Sequence, residues 1–190
     1  GRGPSNIVPG LTYRGGGHLI ADNRLERVRQ VVHLRGHTVE PARVTAADLT
    51  RVLDNRVAWA ESLLGLSATN DAEGPAGVEA SQNLVLDGIR WALSLNHRVG
   101  GGPVSAVRVE RNRLVGSQAR VIWAGTGRYA DIRVTDNRLA GFAAPPIDGP
   151  AAAASGLVVK DNIQAPRANA ASDPPTRRVA DAGAYFDDNR

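Results

Sequence analysis

One phrase recurs along this chain and constrains its fold more than any other feature. It reads His-Leu-Ile-Ala-Asp-Asn-Arg-Leu at 18–25, Thr-Arg-Val-Leu-Asp-Asn-Arg-Val at 50–57, Val-Arg-Val-Glu-Arg-Asn-Arg-Leu at 107–114 and Ile-Arg-Val-Thr-Asp-Asn-Arg-Leu at 132–139. A weaker copy lies at 157–164, and residues 184–190 end inside another. The asparagines fall at Asn23, Asn55, Asn112, Asn137, Asn162 and Asn189, at intervals of 32, 57, 25, 25 and 27. The long interval divides into 34 and 23 if Leu84–Trp91 is a degenerate member with Ile89 in the asparagine slot. A fixed motif at a loosely fixed interval is the mark of a solenoid whose loops vary while its strands do not.

Inside the phrase, apolar residues stand five and three positions before Asn and two after it, as Ile132, Val134 and Leu139 do around Asn137. Alternation before Asn is the period of a strand with one buried face. Its resumption after Asn means that the chain has turned a corner into a second strand. Asparagine suits that corner because it tolerates a left-handed backbone. Its amide, turned inward, can bond the amides one coil above and below, about 4.8 Å away. These six asparagines are therefore expected to form a structural ladder, with Ile89 an apolar break in it.

The pattern apolar-x-apolar-x-x-Asn-x-apolar resembles the right-handed parallel β-helix repeat of the pectin-lyase-like superfamily, over roughly residues 15–190. The resemblance implies an all-β, right-handed parallel β-helix of about six to seven coils with irregular loops. It implies little about function, because that fold serves lyases, hydrolases, epimerases, tail spikes and adhesins alike. The superfamily's calcium-binding Asp clusters with a basic residue alongside are not found in these coils, and the epimerase-like Asp-Pro-His signature is absent.

Other segments add detail. Residues 1–14, rich in Gly and Pro, read as a lead-in to the solenoid at 15–190. Pro41, Val44, Leu49 and Val52 allow a short helix over 41–52, with a β-strand as the competing reading of the same segment. Residues 143–156 and 165–177, rich in Ala and Pro, are expected to protrude from one edge. The chain has no Met and stops within a motif, so it reads as a section of a longer chain, its ends covered by the remainder or by other subunits. Aromatic residues make up only 4%, so a core of Val, Leu, Ile and Ala must fill thin, regular layers.

The net charge of +4 comes from Arg, with Lys160 the one lysine. The arginines are interleaved with Asp and Glu rather than gathered in a basic block, which argues against nucleic acid as a partner. With no Cys there is neither a disulfide nor a thiolate metal site. No run of apolar residues is long enough to span a membrane.

Two surface patterns are candidates for binding. Arg24, Arg56, Arg113 and Arg138 follow the asparagines, and Asp22, Asp54, Asp136, Asp161 and Asp188 precede them. Stacked along the coils, they would make an outer ladder of alternating charge, either structural or a grip on acidic polysaccharide. Trp59, Trp91 and Trp123 recur at steps of 32 residues, which would place them on one side of the rod, either as indole faces that meet sugar rings or as plugs in the core of wide coils.

Asp187-Asp188 resembles a glycosidase carboxylate pair, but Asp188 fills a motif slot and reads as structural. His33 and His37 have a metal-ligand spacing with no acidic third ligand nearby. No catalytic residue, metal site or cofactor is therefore assigned. The reading is a non-catalytic structural or binding rod, extracellular or particle-associated, within a secreted, phage-tail-like or injection-machine-like assembly that contacts glycans. The alternative is a polysaccharide lyase or hydrolase acting on acidic polysaccharide.

Overall fold

The computed structural model describes residues 11–14, 16–36, 45, 48–68, 74–95 and 103–165. They form an all-β parallel solenoid, with no helix among the described residues. In chain order the strands are β1 (Leu11–Arg14), β2 (Leu19–Ala21), β3 (Arg24–Arg35), β4 (Thr50–Leu53) and β5 (Arg56–Ser67). They continue as β6 (Ala76–Ser81), β7 (Leu84–Leu95), β8 (Pro103–Glu110), β9 (Arg113–Ala124) and β10 (Arg128–Thr135). The last are β11 (Arg138–Phe142), β12 (Ile147–Asp148), β13 (Leu157–Lys160) and β14 (Ile163–Ala165).

Two sheets result. One holds β2, β4, β6, β8, β10 and β13 in chain order. The other runs β1-β3-β5-β7-β9-β11-β14, with β12 also paired to β9. Each coil crosses the first sheet, turns at an asparagine and enters the second. The 12-residue strands β3, β5, β7 and β9 mark four full-width turns, rather than the six to seven expected. Beyond β9 the place of one long strand is taken by two shorter ones, β11 and β12, both paired to β9. β1 pairs in parallel with the end of β3, so the stack already includes residues within the stretch read as a lead-in.

The core is built from like stacked on like. On the first sheet Ile20, Val52, Ala80, Val109 and Val134 lie in one register column. On the second, Leu25, Val57, Val85, Leu114 and Leu139 do the same. All but Leu25 are buried. A buried aliphatic side chain of this size contributes about 1.5–3 kcal/mol, and stacking fills the lumen without large rings.

Two expectations are corrected here. The helix over 41–52 is not formed at its end, because Thr50–Leu53 is strand β4; residues 37–44, 46 and 47 lie outside the described set. Thr50 and Val52 are buried while Arg51 and Leu53 are half-exposed, a strand's alternation, and Val52 fills the column between Ile20 and Ala80. Residues 143–156 do not simply protrude either. Ile147 pairs with Ile122, and Ala151 donates its N–H to Ala124 O at 3.1 Å, which folds the segment back onto β9. Of residues 165–177, all but Ala165 lie outside the described set.

Candidate functional site

Asn23, Asn55, Asn83, Asn112, Asn137 and Asn162 stack at one corner. The backbone N–H of each of the first five donates to Oδ1 of the next at 3.0–3.1 Å. The Nδ2 groups donate to the same oxygens at 2.8–2.9 Å. Each Nδ2 from Asn55 onward also reaches back to a carbonyl of the preceding coil, as Asn137 does to Val109 O at 2.9 Å. Asn55, Asn83, Asn112 and Asn137 are buried, so this network supplies partners that water cannot. Asn189 lies outside the described residues.

Two details differ from the sequence reading. The rung between Asn55 and Asn112 is Asn83, and Ile89 is a buried residue within β7, so the ladder has no apolar break. The left-handed residue is the one before each asparagine: Asp22, Asp54, Gln82, Arg111, Asp136 and Asp161 all have φ between 54° and 58°. Asp is among the few non-glycine residues that tolerate this conformation, which accounts for its frequency there.

The charges flanking the corner do not alternate along the stack. Arg24 stacks on Arg56, and Arg113 on Arg138, with Leu84 between the pairs and Ile163 after them. Opposite charges alternate instead on the outer face of the first sheet, where Arg51, Glu79 and Arg108 share a column. Arg51 approaches Glu79 at 3.8 Å. Asp131 accepts from Arg108 at 2.5 Å and from Arg133 at 2.9 Å, and these hydrogen bonds, Arg108's foremost, hold its carboxyl below the usual carboxylate range.

The tryptophans all lie on the second sheet but in different columns. Trp59 is paired with Arg27, Trp91 with Ser62 and Arg120, and Trp123 with Ser94 and Asp148. The 32-residue step is longer than the coils they occupy, which advance by 28 and 29 residues, so each indole falls further along its strand. That offset brings Trp91 and Trp123 together, with ring centroids 5.7 Å apart and planes inclined by 48°. The Arg90 guanidinium lies 4.7 Å from the Trp91 ring, and that of Arg27 5.2 Å from the Trp59 ring, distances at which a cation is drawn to an indole face. The Trp59 indole passes over Gly88, in the space that a Cβ there would need.

Beside the Trp91–Trp123 pair are two polar atoms that the sequence did not single out. Arg120 Nη1 and Ser62 Oγ are buried without a hydrogen-bond partner, and their residues flank Trp91 on the neighbouring coils. Their signal was positional and became visible only once the register was known. His33 Nε2 lies 3.0 Å from Ser67 Oγ, whereas His37, Asp187 and Asp188 lie outside the described residues. Among the described residues no three His, Asp or Glu side chains gather as a metal cradle. No family model, curated protein or solved structure matches the chain.

Proposed function

We propose that this chain is a rigid binding solenoid of the pectin-lyase-like type whose second sheet presents Trp91, Trp123, Arg90 and Arg120 to a glycan. The observation that carries this reading is the tilted indole pair on consecutive coils with guanidinium groups beside it. An indole offers a flat apolar surface to the C–H face of a sugar ring, and guanidinium N–H groups serve hydroxyl or carboxylate oxygens. A parallel stack suits the role, since coils about 4.8 Å apart hold such groups in fixed register along an extended ligand. The setting would be an extracellular or particle-associated assembly.

Affinity electrophoresis through gels containing polygalacturonate, alginate, chondroitin sulfate or dextran tests the reading. The native chain should be retarded by at least one of them, and Trp91→Ala with Trp123→Ala should lose most of that retardation while keeping the native melting temperature. Free migration in all four gels would count against it. Release of new reducing ends or unsaturated products would replace the binding module with a polysaccharide-degrading enzyme.

A further inference from the structure

We infer that the two ends of the solenoid are complementary, and that a second copy of this chain stacks head to tail upon the first, its Asn23 continuing the ladder beyond Asn162. This inference is independent of glycan binding. It begins with the polarity of the ladder. Each rung from Asn23 to Asn137 donates its N–H to the next. Among the described residues the N–H of Asn162 has no acceptor, and Oδ1 of Asn23 has no donor. One end therefore offers a donor where the other offers an acceptor.

The side chains agree with the same register. Among the described residues the exposed large hydrophobic ones are Leu19, Val158 and Ile163, at 70%, 37% and 60% exposure, and all lie on the outermost strands β2, β13 and β14. Leu19 and Val158 occupy one column, from Leu19 through Arg51, Glu79, Arg108 and Arg133 to Val158. Extending the column by one step from Val158 reaches the Leu19 of a second copy, apolar on apolar. The column after the asparagines reads Arg24, Arg56, Leu84, Arg113, Arg138, Ile163. A second copy repeats this order, placing Ile163 between two arginine pairs as Leu84 already lies, so no third arginine joins a pair.

The described strands at the two ends agree with this register. β1 lies against the end of β3, whereas β13 and β14 lie on either side of the Asn162 corner, so β1 of the second copy and β14 of the first would share one level without overlapping. The contact is heterologous, so it propagates as a filament rather than closing as a dimer.

Engineered cysteines read the register directly, because the chain contains none. Adjacent parallel strands place paired Cα atoms about 4.8 Å apart, within disulfide range. The full chain is made as Leu19→Cys and as Val158→Cys, both at exposed positions, and each variant is checked for native melting. Mixed and oxidised, the two should give a disulfide-linked dimer that neither gives alone, and the doubly substituted chain should give a ladder of higher oligomers. In sedimentation equilibrium the native chain should gain mass with concentration, and Leu19→Lys should weaken that association at least tenfold. Folded variants that fail to cross-link when mixed, or a native chain that stays monomeric to high concentration, would overturn the inference. Either result would mean that another occupant covers these edges: Asn189 of the same chain as the next rung after Asn162, or a different protein.

Discussion

Asn83 Nδ2 donates to Asn112 Oδ1 at 2.9 Å, and this bond joins the halves of a continuous ladder through the middle of the solenoid. Both side chains are buried, so neither amide can turn to water if its partner is lost. Leaving a buried donor or acceptor unsatisfied costs about 1–3 kcal/mol. Asn83→Leu should therefore lower stability in urea unfolding by that amount or more, comparably to Asn112→Leu. Asn23→Leu should cost less, since Asn23 is half-exposed and bonds to one neighbouring rung. Equal midpoints for Asn83→Leu and the native chain would show that the ladder adds nothing at its centre.

The left-handed corner predicts a different response one residue earlier. Gln82 and Asp136 have φ of 58° and 56°. A residue with a Cβ pays roughly 1–2 kcal/mol in this conformation, and a β-branched one pays more. Gln82→Gly should be neutral or stabilising by up to about 1 kcal/mol, the strain relieved being partly offset by a more flexible unfolded chain. Asp136→Val should be destabilising by about 1–2 kcal/mol. Thermal melting of the pair checks the opposite signs.

A charge in the lumen tests the core. Val134 is fully buried and paired with Val109 and Val159 on the coils on either side. Val134→Asp should abolish cooperative folding or move the melting transition far down, because no cation lies in that column to pair with it. The isosteric Val134→Thr should cost less, leaving a folded protein for comparison by circular dichroism.

Acid should release one exposed contact. The Asp131 carboxyl is held below its ordinary value by hydrogen bonds from Arg108, first, and from Arg133, against a smaller opposing effect of burial. A depressed folded-state value stabilises the protein above the unfolded carboxylate range near pH 4. That contribution is lost as the pH falls through the folded value. With 44% of the Asp131 side chain exposed, solvent screening limits the effect to under about 1 kcal/mol. Asp131→Asn should be less stable than the native chain at pH 7, and the two should converge as the pH falls through the lowered folded-state value of Asp131. A constant difference across that range would assign the contribution to packing instead.

Much of the architecture was legible because its determinants are local. Ile132, Val134 and Leu139 around Asn137 disclose two short strands and the corner between them without reference to any other coil. The same positions around Asn83 are filled by Val78, Ala80 and Val85, so this rung obeyed the rule too. Its surface residues differ, with Gln82 and Leu84 in place of the usual Asp and Arg, so only its buried positions carry the phrase. Of the two readings of 41–52, helix and strand, the strand holds at its end for a related reason. Leu49 and Val52 satisfy a helical step, but Thr50 and Val52 also satisfy a strand's, and the columns on neighbouring coils decided between them.

What the sequence by itself determined is the repeating unit: alternation places aliphatic residues inward, and a corner residue able to accept positive φ turns the chain. What only the tertiary structure decided is which residues meet across coils. Coils of 32, 28, 29, 25 and 25 residues are held in step by the asparagines, with the differences absorbed in loops and bulges. Trp91 therefore meets Trp123 and not Trp59, and arginine stacks on arginine. The physical reason is that hydrogen bonds between parallel strands act on the backbone and are indifferent to sequence distance, so contact is set by register counted from the corner and not by residue number.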